Sequence, residues 1–139
     1  MLSVTTENGI DLPKTCKRSL RSLCKKIYCG ENIDQNRAVD LIFCAEDTIK
    51  RLNRDYRKKD GVTDVLSFRF EDIDYLGEIY VCVKRADEQR KEYGLTQEEE
   101  LQRLFVHGLI HLLGFDHETE EERMIMERCE KKYIDFEKE

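Results

Sequence analysis

Hydrophobic positions along this chain recur at strand spacing and at helix spacing by turns, until the C-terminal half becomes helical throughout. Residues 2–6 read as a first strand. Pro13, after Asp11-Leu12, suits the first turn of a helix, and Cys16, Leu20, Leu23, Cys24 and Ile27 then recur at helical spacing until Gly30. Residues 38–45 read as a second strand, and Asp47 is placed to cap a short helix carrying Ile49, Leu52 and Tyr56. The polar, basic stretch 57–63, which contains Gly61, is a loop. Strands over 64–70 and 76–83, joined by a turn at 71–75, form an antiparallel hairpin. From residue 84 a helix runs to Gly94, and Thr96 with Glu99 makes a capping box that starts another. That helix carries Leu101, Leu104, Phe105, Val106, Leu109, Ile110, Leu112 and Leu113, apolar nearly all round, so it is buried. Thr119 and Glu122 make a second box, and Met124, Ile125, Cys129 and Tyr133 give the last helix an apolar face.

With 139 residues, no internal repeat and no proline except Pro13, the economical expectation is one domain over residues 1–139. The sequence has no charged-then-apolar leader and no apolar run of the roughly 20 residues that span a bilayer, so a soluble, cytoplasmic protein without membrane contact is expected. Six cysteines without a C-x-x-C pair read as reduced core thiols. The net charge of −6 is unevenly spread: residues 1–70 hold 14 Lys/Arg and 10 Asp/Glu, residues 71–139 hold 10 and 20. Two basic runs, Lys14 to Lys26 and Lys50 to Lys59, can track phosphates or serve as solvated helix faces. The sequence contains no P-loop or dinucleotide fingerprint, so no nucleotide cofactor is expected.

All three histidines, His107, His111 and His117, fall within eleven residues at the end of the buried helix. His107 and His111 share one helical face, and Gly114 can turn the chain to bring Asp116 and His117 back toward them. Such clustering is metal-ligand spacing, and two imidazoles in an apolar helix would otherwise need separate buried partners. Three nitrogens leave one coordination position open for chemistry. The spacing also matches a zinc-protease signature, but Gly108 stands where those enzymes carry a glutamate base. Asp116 could act as base, though beside a ligand it fits a supporting or helix-end role better.

The string from His107 to His117 resembles the signature of the YbeY family of endoribonucleases, also called rRNA maturation factors. Leu52-Asn53-Arg54-Asp55-Tyr56-Arg57-Lys58-Lys59-Asp60, Thr63-Asp64-Val65-Leu66-Ser67-Phe68 and Leu76-Gly77-Glu78-Ile79 look like that family's other motifs, in order. The resemblance covers about residues 38–117. Val62 and Arg69 stand where proline is usual, and the N-terminal region is short. The resemblance implies an α/β domain with a small mixed four-stranded sheet packed by helices, and a zinc site at the C-terminal end of the central helix. It implies one Zn2+ per chain on His107, His111 and His117, and single-strand-specific RNA cleavage. It further implies work on the 3′ end of 16S rRNA of the small subunit and in ribosome quality control. Arg57 is the residue it singles out for catalysis beside the three histidines, stabilising phosphate; the alternative is an arginine that caps the preceding helix. Arg54, Lys58 and Lys59 would steer the RNA backbone, and Asp64 and Ser67 would line the site. Two other readings remain open on sequence: a zinc hydrolase of peptides or small molecules, and a non-catalytic zinc-stabilised ribosome-assembly factor.

Overall fold

The computed structural model describes residues 1–136. Its elements are β1 (Leu2–Thr6), α1 (Lys14–Gly30), β2 (Ala38–Cys44), α2 (Glu46–Arg57), β3 (Val65–Asp72), β4 (Tyr75–Cys82), α3 (Val83–Tyr93), α4 (Gln97–Leu112) and α5 (Glu120–Lys131). The four strands form one mixed sheet in the order β1-β2-β4-β3. β1 and β4 each run parallel to β2, and β3 closes the sheet as an antiparallel edge with Ser67 opposite Ile79. Both the α/β class and the hairpin expected from the sequence are present.

Strand alternation sorts the core into two sides. Val39, Leu41 and Phe43 of β2, with Ile79 and Val81 of β4, join Leu20, Ile27, Tyr28, Leu104, Phe105 and Leu109 of α1 and α4. Cys44, Leu66 and Cys82 point the other way and pack with Ile49 of α2. The sheet thus lies between α2 on one side and α1 with α4 on the other, and α3 and α5 pack against α4. Five of the six cysteines are buried and Cys29 is exposed; all six are free thiols.

Several local expectations change. Pro13 is the residue before the helix, with extended ψ of 145°, because its ring permits the helical φ while the chain still approaches from outside. Asp47 lies in the first turn of α2 and does not cap it. That end is held by Glu7 from beyond β1, whose carboxylate accepts from Ala45 N–H at 2.7 Å and from the Thr48 hydroxyl at 2.5 Å. At α4 the Thr96/Glu99 capping box is complete, whereas at α5 Thr119 accepts from Glu122 N–H, the forward half of the box. The buried face of α5 is Met126 and Cys129; Met124 and Ile125 are exposed, since the helix turns its 126/129/130 stripe toward α4, and Tyr133 lies past its end.

Candidate active site

α4 ends where two of the three histidines lie. Its last carbonyls are satisfied by Gly114 N–H on His111 O (3.1 Å) and Phe115 N–H on Ile110 O (3.4 Å). This paired closure needs a positive φ at the residue after the cap, and Gly114 has +109°. The chain therefore reverses, and Asp116 and His117 return to the helix end. His117 lies 5.9 Å from His111 and 5.7 Å from His107 between ring centroids.

One donor atom each from His111, Asp116 and His117 lies within 4.8 Å of the others, close enough to converge on one ion. His107 is outside that closest trio. Its Nδ1 is 2.7 Å from Glu130 Oε1 on α5, which places the ring proton on Nδ1 and leaves the Nε2 lone pair free. The burial of His111 pushes its pKa below the ordinary imidazole value, although the Asp116 carboxylate pulls the other way. A neutral ring keeps its lone pair. Its Nδ1 is buried without a hydrogen-bond partner among the described residues, a costly state for an imidazole not held in some other way. Imidazoles with a carboxylate, and no thiolate, are a donor set that zinc accepts.

Gly108 faces the sheet, not the cleft. A Cβ there would meet Ile79 Cγ2 at 2.7 Å and Ser67 Oγ at 3.0 Å, so the contact of α4 with β3 and β4 requires its absence. A glutamate at this position would be driven into the core. The Ser67 hydroxyl donates to Gly108 O at 3.4 Å, a long bond that ties the edge strand to the helix.

The cleft over these groups has a volume of about 680 Å³ and reaches from the histidines across the β3 edge to the C-terminal end of α2. Arg57 lies on its wall. Its Nη2 donates to Ser67 O, and its guanidinium sits over the Phe68 ring at 5.1 Å from the centroid. Both contacts fix the planar fork at the cleft wall. Lys58 ends α2 in the left-handed conformation, φ 54°, and Lys59 N–H bonds Asn53 O at 3.2 Å. That turn brings Lys59 into the cleft lining, while Lys58 is exposed and outside it. Arg54 also stays outside, paired with Asp55 at 3.2 Å on the surface.

Asp64 and Ser67 both line the cleft, as expected from the sequence. Asp64 is held by Gln89 Nε2 at 2.9 Å and accepts from Val65 N–H at 2.8 Å. Sequence reasoning missed Asn53, a buried residue whose amide donates to Gly61 O (3.2 Å) and pins the basic loop. It also missed Glu130, which stands 23 residues from His107 and carries no local signal.

The fold thus brings a histidine group at the end of its buried helix and an arginine into one cleft lining. The endoribonuclease YbeY family model matches residues 3–137. The chain is 50% identical over 99 residues to the endoribonuclease YbeY of Ureaplasma urealyticum, a match spanning 68% of this chain and 64% of the relative. It is 41% identical over 121 residues to that of Geobacillus thermodenitrificans, spanning 78% of each. The solution structure of TM1509 from Thermotoga maritima superposes with a TM-score of 0.69 at 34% identity, covering 96% of this chain and 86% of that one. The chain belongs to the endoribonuclease YbeY family, hydrolases that act on RNA. Among the described residues, no helix is long and apolar enough to cross a membrane.

Proposed function

We propose that residues 1–139 form one zinc-dependent endoribonuclease domain that cuts single-stranded RNA. We further propose that its substrate is the 3′ end of small-subunit 16S rRNA, met on the ribosome in the cytoplasm during maturation and quality control. The observation that carries the reading is the shared cleft: three histidines and Arg57 line one cavity. His107, His111 and His117 would hold one Zn2+ per chain; Asp116 shares the close-set donor group with His111 and His117, and His107 stands next to it, its ring 5.7 Å from that of His117. Zn2+, when bound, supplies a Lewis acid at the phosphodiester. Arg57 grips non-bridging phosphate oxygens and stabilises the charge that builds there in the transition state. Glu130 keeps the His107 proton on Nδ1, so that Nε2 remains a donor. Lys59 draws the backbone of the strand into the cleft, and Arg54 and Lys58 steer it from outside. Gly108, closed off against Ile79, supplies no proton shuttle of the zinc-protease kind, which speaks against peptide hydrolysis.

Metal content and cleavage of a defined single-stranded RNA, measured together, test this function. His111→Ala loses both, whereas Arg57→Glu keeps its metal and loses at least tenfold in turnover. Full cleavage by a verified metal-free His111→Ala preparation would overturn the reading. Unchanged turnover in Arg57→Glu would make that arginine structural.

A further inference from the structure

Tyr56 is the apolar position of α2 that the core does not use. Ile49 and Leu52, its companions in the helical pattern, pack toward the sheet, but Tyr56 is 68% exposed. The ring is nevertheless fixed from beneath. It meets Phe68 edge-on with centroids 5.5 Å apart, and Phe68 meets Tyr80 in the same manner at 5.9 Å. Phe68 is also the ring on which the Arg57 guanidinium lies. An exposed aromatic surface is thus supported within one ring of the arginine at the cleft wall.

Its surroundings are basic although the chain as a whole is acidic. Arg54, Lys58 and Lys59, its neighbours along the chain, are all exposed; Lys59 also lines the cleft, and Arg54 pairs with Asp55. Supported aromatic rings interleaved with cations suit a single strand of nucleic acid, whose bases stack while its phosphates meet the charges. In a duplex the base faces are already stacked on one another and cannot reach such a ring. We propose that Tyr56 is a stacking subsite for one unpaired nucleobase of the RNA, next to the phosphate that Arg57 holds, and that it contributes to the preference for single strands. This rests on the reading of the cleft as an RNA-cleaving site.

The test uses stopped-flow anisotropy, read before turnover, on the full chain supplemented with zinc. The probes are a fluorescein-labelled single-stranded RNA decamer, its abasic counterpart and an RNA duplex. Tyr56→Leu weakens binding of the decamer by roughly tenfold, the scale of one lost base–aromatic stack. Tyr56→Phe stays within about twofold of wild type, and Tyr56→Trp binds as tightly or more tightly, since both keep a flat ring. None of the three changes binding of the abasic strand or the duplex. Equal decamer binding by Tyr56→Leu and wild type overturns the proposal, as does an equal loss on the abasic strand. Should Tyr56→Leu fold poorly, weaker decamer binding by Tyr56→Trp alone overturns it. A wild-type protein that binds no single-stranded RNA overturns the cleft reading itself, and this inference with it.

Discussion

At the scale of single residues, the site depends on which nitrogen of each imidazole is free. Glu130 Oε1 at 2.7 Å from His107 Nδ1 decides this for one ring. Glu130→Ala therefore lowers zinc affinity about 10- to 100-fold, read by competition with a chromogenic chelator. An affinity equal to wild type would mean that packing alone orients His107. The histidines themselves were legible in the sequence because their spacing is a local property of one helix and its cap. Glu130 was not, because the only relation between it and His107 is that α5 packs beside α4. Asp116 was visible as a neighbour of His117, but its place in the close-set donor group depends on the turn at Gly114.

At the scale of elements, Gly108 has two explanations that meet. Read along the chain, it is a missing glutamate. Read across the interface, it is the point where α4 approaches β3 and β4 too closely for any side chain. Replacing an interior helical glycine by alanine ordinarily stabilises a protein by about 0.5–1 kcal/mol. Gly108→Ala should do the reverse and cost roughly 1–3 kcal/mol, because Ile79 and Ser67 must shift to admit the methyl group. Urea denaturation of the two proteins measures the difference, and a gain in stability would refute the close approach. Capping shows the same division. The box at Thr96 and Glu99 was readable because both partners lie within one turn. The cap of α2 was misread as Asp47 because its true partner, Glu7, arrives from just past β1, nearly forty residues earlier.

At the scale of the whole molecule, a net charge of −6 argues against RNA, and only the distribution of charge reverses the argument. Repulsion from distant carboxylates is screened within about 8 Å at physiological salt, whereas a cation in the cleft meets phosphate directly. Lys59 lines that cleft. Lys59→Ala should weaken single-strand binding whatever the base sequence, and reduce the slope of log affinity against log salt by about 0.7. A titration across salt concentrations in which the slope stays unchanged would remove Lys59 from the path of the RNA.

The sequence by itself determined the succession of strands and helices, the hairpin, the buried helix and the three histidines at its end. Each is written in the period of apolar positions or in spacings of a few residues, and such patterns act through the local geometry of helix and strand. Only the tertiary structure decided that Arg57 lines one cleft with the histidines and that Arg54 and Lys58 stay outside it. It alone brought Glu130 to His107, Glu7 to α2 and Phe68 beneath Tyr56. Those contacts join elements far apart in the chain, and their partners are chosen by how the layers pack, which no short spacing encodes.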